Sequence, residues 1–289
     1  MKLIKNKILH SLPIIEQTID SSKDCPFIPC EPLPKNPSQF FYFVGHAGSG
    51  KTTTAISMLM SKKTKKNPDN PIFYYRYFDN IILIDPSHAT KPKKFINGLN
   101  ENNIHDKYSE DLIIDIIEDL KDGENENSLI ILDDSIRDIN SGKNSIMNKI
   151  ILNRRHITYN PDEDKNASLS VWIMSQKYNL LDLSYRNNAS VVFLWKTENM
   201  KEKKSIKEEL MSDLDNETAD NVLKLAWKKK YNFLMIKVFE PTKNRYFVNF
   251  DKIVFENEEE EENENINENE NIIINKSKNE NIIINKSKN

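Results

Sequence analysis

Five short runs of apolar residues punctuate the middle of the chain: "FFYFV" at 40–44, "IILID" at 81–85, "LIILDD" at 129–134, "SVWIMSQ" at 170–176 and "SVVFLW" at 190–195. Each is rich in β-branched or aromatic residues and shows little polar alternation, which is the pattern of a strand covered on both faces. Between them the apolar spacing becomes helical, over 51–62, 110–122 ("EDLIIDIIEDLKD") and 143–153. Strands and helices in alternation predict a parallel, doubly wound α/β sheet. Beyond it, 199–229 is rich in Lys and Glu and helical in character. "NFLMIKVF" and "RYFVNFDKIVF" then alternate with period two and predict an antiparallel β-hairpin.

The two ends read differently. Residues 1–38, Pro-rich in "CPFIPCEPLPKNP", predict an irregular lead-in with room for one short helix. Residues 256–289 close in two near-copies of "NENIIINKSK", beginning at Asn269 and Asn279. Two such units are too few to stack as a solenoid, and their composition predicts a disordered tail. The chain thus divides into a lead-in (1–38), a core (39–198), an extension (199–255) and a tail (256–289).

Charge sharpens this division. The chain has a formal net charge of −3, but the tail alone holds ten Glu and four Lys, a net of −6. The rest is therefore about +3, a mildly basic body that permits nucleic-acid binding without requiring it. The only cysteines, Cys25 and Cys30, are spaced C-x4-C with no His beside them. A zinc site needs about four ligands, so reduced thiols inside a cell are the expectation. Lys and His interrupt every apolar run of the amino terminus, unlike a signal peptide. No apolar stretch approaches the ~20 residues that span a bilayer, so no membrane association is expected.

Glycine usage locates the chemistry. The chain has six glycines, and Gly45, Gly48 and Gly50 fall within "GHAGSGKT", residues 45–52, directly after the first apolar run. G-x4-G-K-T between a strand and a helix is the P-loop signature. Its backbone N–H groups must turn toward phosphate along a path that side chains would obstruct, and the following helix adds its positive dipole end. The predicted nucleotide contacts are Gly45, His46, Ala47, Gly48, Ser49, Gly50, Lys51, Thr52 and Thr53. Lys51 is expected to reach the β- and γ-phosphates of ATP, and the Thr52 hydroxyl to coordinate Mg2+.

A second acid for the metal belongs at the end of a buried strand. "LIILDD" offers paired carboxylates with separable tasks: Asp133 holds Mg2+, and Asp134 activates the attacking water as general base. Most NTPases of this type carry Glu at that second position, and Asp is one methylene shorter. Asp85, at the end of "IILID", reads as a strand-end residue before Pro86. Gln176, which ends "SVWIMSQ", fits a sensor that hydrogen-bonds the γ-phosphate and the lytic water. Arginines are scarce: Arg76, Arg137, Arg154, Arg155, Arg186 and Arg245 are the only ones. Arg is hard to replace where a planar fork clamps phosphate. Arg154, Arg155 and Arg186 flank the sensor strand and are candidates for an arginine that acts on a neighbouring subunit's nucleotide.

Taken together, "GHAGSGKTT", "LIILDDS", "NRRH", "SQKYNLLDLSYRNNAS" and "VVFLW" resemble the FtsK–HerA superfamily, and within it the genome-packaging ATPases of large DNA viruses and virophages. The match spans about 40–196, roughly half the chain. The resemblance implies a RecA/ASCE-type P-loop NTPase core with strand order 5-1-4-3-2. It also implies an ATP-driven translocase of double-stranded DNA, a homo-oligomeric ring that fills a preformed capsid at a portal-like vertex in the host cell cytoplasm. Arg155 or Arg154, together with Arg186, match the arginines that act at the ATP site. The basic runs "KKTKK" (62–66), "KPKK" (91–94) and "KKK" (228–230) could contact DNA backbone without reading sequence, although a Lys-rich chain also places such runs on plain solvated surface. A nucleotide kinase would need lid arginines after the core, where only Arg245 follows Arg186, and a GTPase would need N-K-x-D, which is absent. An assembly protein that binds ATP without hydrolysing it stays open.

Overall fold

The computed structural model describes residues 2–4, 31–34, 38–67, 69–87, 99–122, 127–139, 145–160, 162 and 165–255. Cys25, Cys30, the basic run at 91–94 and the tail 256–289 lie outside the described residues. In chain order the elements are β1 (Lys2–Ile4), β2 (Phe40–Val44), α1 (Lys51–Met60), β3 (Asn80–Ile84), β4 (Ile104–His105), α2 (Glu110–Asp122), β5 (Asn127–Asp133), α3 (Ile136–Ile139) and α4 (Ile146–Asn153). There follow β6 (Tyr159–Asn160), β7 (Lys165–Asn166), β8 (Ser168–Ser175), α5 (Leu183–Arg186), β9 (Val191–Trp195), α6 (Met200–Leu210), α7 (Asn216–Ala226), β10 (Phe233–Lys237), β11 (Tyr246–Val248) and β12 (Asp251–Val254).

The five apolar runs become β2, β3, β5, β8 and β9, and they lie side by side in the order β9-β2-β8-β5-β3. This is the 5-1-4-3-2 order of a P-loop NTPase core. All four pairings within it are parallel, so Val44, Ile84, Asp133, Ser175 and Trp195 end at one common edge. That carboxyl edge is where open α/β sheets bind ligands.

Two-sided burial explains the unbroken apolar runs. Successive strand residues point to opposite faces. Phe41 and Phe43 of β2 join Ala55, Met58 and Leu59 of α1 on one face. Phe40, Tyr42 and Val44 join α2, α4, α6 and α7 on the other. Under α1 the core is aromatic: Phe41 stacks on Trp172 with centroids 5.4 Å apart, and Phe43 on Phe193 at 4.5 Å. Full burial of each such ring contributes about 1.5–3 kcal/mol, so the strand that leads into the glycine-rich loop is held from both sides.

The expected antiparallel hairpin forms between β10 and β11, and β10 also pairs antiparallel with β9, so the hairpin continues the central sheet. The periphery departs from the sequence reading in two places. "RYFVNFDKIVF" is two strands, since Asn249 adopts φ 57 between β11 and β12. Asn tolerates that left-handed conformation, and its Oδ1 accepts the Phe233 N–H at 3.1 Å. Lys2–Ile4, expected to be irregular, adds an edge strand antiparallel to β12. Among the described residues the sheet has ten strands, with β4 parallel to β3 at the far edge.

Candidate active site

The loop 45–50 leaves β2 at the carboxyl edge and enters α1. Its first glycine is required by space. A Cβ on Gly45 would lie 2.6 Å from Ser49 Oγ and 2.7 Å from Trp195 Cβ, too close for either to remain in place. Gly48 and Gly50 are required by backbone, with φ 74 and 106, a region L side chains rarely enter. Gly50 is the N-cap of α1 and its carbonyl accepts the Thr54 N–H at 2.8 Å. Lys51 is buried and lies back across the loop, its ammonium donating to the Gly45 carbonyl at 2.6 Å and the His46 carbonyl at 3.3 Å. His46 and Ala47 are exposed at the turn, Ser49 is buried beneath it, and Thr53 is exposed as the third residue of α1.

The ends of β5 and β8 bring two acids and a glutamine to this loop. Thr52 Oγ1 donates to Asp133 Oδ2 at 2.9 Å, joining residues 81 apart in the chain. Asp133 is 2 % exposed. Asp134 follows in the left-handed conformation, φ 55, which turns its exposed carboxylate out of the strand direction. Gln176, just beyond β8, donates from Nε2 to Asp134 Oδ1 at 3.4 Å. The Lys51–Thr52, Asp133–Asp134 and Gln176 positions therefore converge at the ends of three adjacent strands. Asp85, by contrast, accepts the Ser87 N–H and hydroxyl at 3.0 and 2.7 Å, closing the turn after β3.

The turn that carries Gln176 is fastened by groups to which the sequence assigns no role. Glu202, on α6 and 6 % exposed, accepts the Tyr178 N–H and the Thr197 hydroxyl, both at 2.6 Å. The Tyr42 hydroxyl donates to the Tyr178 carbonyl at 2.8 Å. Burial drives the Tyr42 pKa well above the ordinary tyrosine value, so the hydroxyl stays a donor. A cavity of ≈ 230 Å3 opens here, with Gly45, His46 and Gln176 on one side and Lys196, Thr197 and Glu202 on the other.

The arginines separate. Arg154 lies at the opposite end of the sheet, where Nε donates to the Ser38 carbonyl at 2.7 Å and Nη1 to the Ile151 carbonyl at 2.6 Å. Burial, then the neighbouring Arg155 charge, lowers its pKa to about 10. Arg154 is 8 % exposed, and its guanidinium, clasped by main-chain carbonyls, joins the segment before β2 to the end of α4. Arg186 is likewise engaged within the chain. Its Nε and Nη2 bind the two Glu209 carboxylate oxygens at 2.9 and 2.7 Å, and its guanidinium covers Tyr178 at 4.7 Å. Burial alone would lower its pKa, but the hydrogen bond and charge of Glu209 outweigh burial and raise it. Arg155 is exposed beside Arg154. Of the basic runs, 62–66 follows α1 and 228–230 sits in the loop before β10.

Gly-rich loop, strand order and paired acids at the carboxyl edge define the fold of a P-loop NTPase. No protein-family model matches the chain, and no curated protein matches it. Among solved structures the chain is similar to the genome packaging NTPase B204 of Sulfolobus turreted icosahedral virus 2. With the AMP complex it shares 16% identity over 74% of this chain and 98% of that one, TM-score 0.51. The AMPPCP complex gives 16% over 76% and 99%, TM-score 0.51, and the sulfate complex 14% over 76% and 100%, TM-score 0.51. At such identity the likeness is one of fold. Among the described residues, no helix is long and apolar enough to cross a membrane.

Proposed function

We propose that this protein is an ATPase that drives double-stranded DNA into a viral capsid, working as a homo-oligomeric ring in the host cytoplasm. The observation that carries the ATPase reading is the convergence of Thr52 with Asp133 and of Gln176 with Asp134 beside the glycine-rich loop. A fold shared with an NTPase described as genome-packaging supports the DNA step.

The loop amides and Lys51 bind the triphosphate, and for this Lys51 must exchange its two loop carbonyls for phosphate oxygens. Thr52 and Asp133 fit Mg2+, because hard oxygen donors already in contact can hold an ion whose remaining ligands are phosphate and water. When bound, that ion neutralises charge on the phosphates and polarises the γ-phosphoryl group. Asp134 accepts a proton from the attacking water, and Gln176 orients that water through the contact the two side chains make. Arg155, exposed at the end of the sheet away from its own loop, can act only on a nucleotide held by another copy.

ATP hydrolysis with and without double-stranded DNA, alongside mass in solution with a slowly hydrolysed analogue, tests this reading. Expected is DNA-stimulated turnover by a ring. Asp134→Asn should abolish turnover, by at least the ~10²-fold that a general base supplies, while retaining ATP binding. Turnover indifferent to DNA would remove the translocase, and Asp134→Asn turnover equal to wild type would remove the assigned base.

A further inference from the structure

Tyr231 stands beside the glycine-rich loop in a position the proposed reaction leaves unused. It follows three lysines, Lys228–Lys230, in the loop between α7 and β10. Because β10 pairs antiparallel with β9, Phe233 sits opposite Trp195, and the loop reaches the same sheet edge as the phosphate site. The approach is close: a Cβ at Gly50 would lie 3.9 Å from Tyr231 Cδ1. The Trp195 indole N–H donates to the Tyr231 carbonyl at 3.2 Å, and Trp195 packs on Phe233 with centroids 4.9 Å apart. The backbone of residue 231 is thus tied to the strand that flanks the loop.

The ring itself is turned outward. Tyr231 is 59 % exposed and adopts φ 69. A bulky L residue holds that conformation at a cost, and such costs concentrate at ligand sites. The Lys230 ammonium lies 4.8 Å from the ring centroid. Direction follows from strand order. Asp134 and Gln176 mark the β5 and β8 side of β2, whereas Tyr231 lies on the β9 and β10 side. A nucleoside triphosphate whose γ-phosphate faces Asp134 and Gln176 runs its base toward Tyr231.

We infer that the Tyr231 ring is the stacking surface for the nucleobase of the bound nucleotide, with Lys230 adding positive charge beside it. This rests on the ATP-binding reading above. Stacking uses the π-face of the base and not its hydrogen-bonding edges, and the indole N–H and carbonyl at this spot already bond each other. The site therefore takes ATP and GTP with similar affinity.

The test measures binding of Mg-ATP, Mg-GTP and inorganic tripolyphosphate to the full chain and to Tyr231→Phe, Tyr231→Asn and Lys51→Ala. Asn accepts the left-handed backbone without a ring, so Tyr231→Asn removes stacking and keeps the turn. Expected is a roughly tenfold loss of ATP and GTP affinity in Tyr231→Asn, unchanged tripolyphosphate binding, and retention of all three in Tyr231→Phe. Loss of tripolyphosphate binding in Tyr231→Asn would overturn the inference, since the residue would then serve the loop and not the base. ATP binding unchanged in Tyr231→Asn, or GTP bound tenfold more weakly than ATP by wild type, would overturn it as well. ATP binding by Lys51→Ala equal to wild type would instead remove the phosphate site on which the inference rests.

Discussion

Replacing Arg186 separates two roles that its position in the chain leaves confounded. In the structure it holds α5 against α6: two hydrogen bonds to Glu209, a third from Nη1 to the Leu181 carbonyl, and its planar face on Tyr178. Tyr178 in turn donates its hydroxyl to Glu209 at 2.9 Å. The side chains of Arg186 and Glu209 are 9 % and 19 % exposed. Removing one member of a buried pair costs about 3–5 kcal/mol, because the other charge is left without compensation. Water reaching Glu209 relieves part of that, so about 3 kcal/mol is expected for Arg186→Met and the same for Glu209→Met. Contacting residues couple by up to about 3 kcal/mol. The double variant should therefore cost about 3 kcal/mol as well, instead of the sum of the two. Urea unfolding followed at constant m-value measures all three differences. ATP turnover, measured well below the melting transition, should fall no more than several-fold in each. An unchanged urea midpoint for Arg186→Met with turnover abolished would refute the structural role and return Arg186 to catalysis. Additive costs in the double variant would refute the pairing.

Two further outcomes follow from the geometry. Gly45→Ala should destabilise by about 1–3 kcal/mol through overpacking against Trp195 and weaken Mg-ATP binding by displacing the loop. Gly48→Ala has open space around its Cβ and should show only the backbone cost of about 1–2 kcal/mol; equal ATP affinity in Gly45→Ala and wild type would mean that close approach is not what demands this glycine. Asp213 supplies a pH dependence: burial alone would raise its pKa, but hydrogen bonds from Tyr246 and Thr242 and the Arg245 charge outweigh burial and hold it below the ordinary carboxylate range. A carboxylate with a depressed folded pKa stabilises fully above its unfolded value and loses that contribution as pH falls through the folded one. Asp213→Asn should thus flatten the fall of the urea midpoint below about pH 4, and parallel profiles in the two proteins would contradict this.

How far the sequence could be read depended on whether the relevant chemistry is local. β2, β3, β5, β8 and β9 were legible because burial on both faces writes an unbroken apolar run, and the loop at 45–50 because a phosphate-binding turn concentrates glycine. The Thr52–Asp133 contact was legible although 81 residues separate the partners, since each sits at a position its own motif defines. Their order in the sheet came from family resemblance, as apolar runs carry no information on which neighbour they pair with. β1 has three residues, too few to show a period, and one Asn in a left-handed conformation split the last alternating run. The arginines show the limit most clearly. Scarcity argues that a planar, multiply donating group is needed, but carbonyl oxygens (Arg154), a carboxylate (Arg186) and phosphate all satisfy that need. Which of them an arginine meets is decided by the end of the sheet it reaches, and Arg154 is carried by α4 to the amino ends of the strands. Tyr231 is the converse case. Nothing around it resembles a nucleotide motif, yet one antiparallel pairing, β10 on β9, sets it beside Gly50. Residue type states what a side chain can do, and strand pairing decides what it can touch.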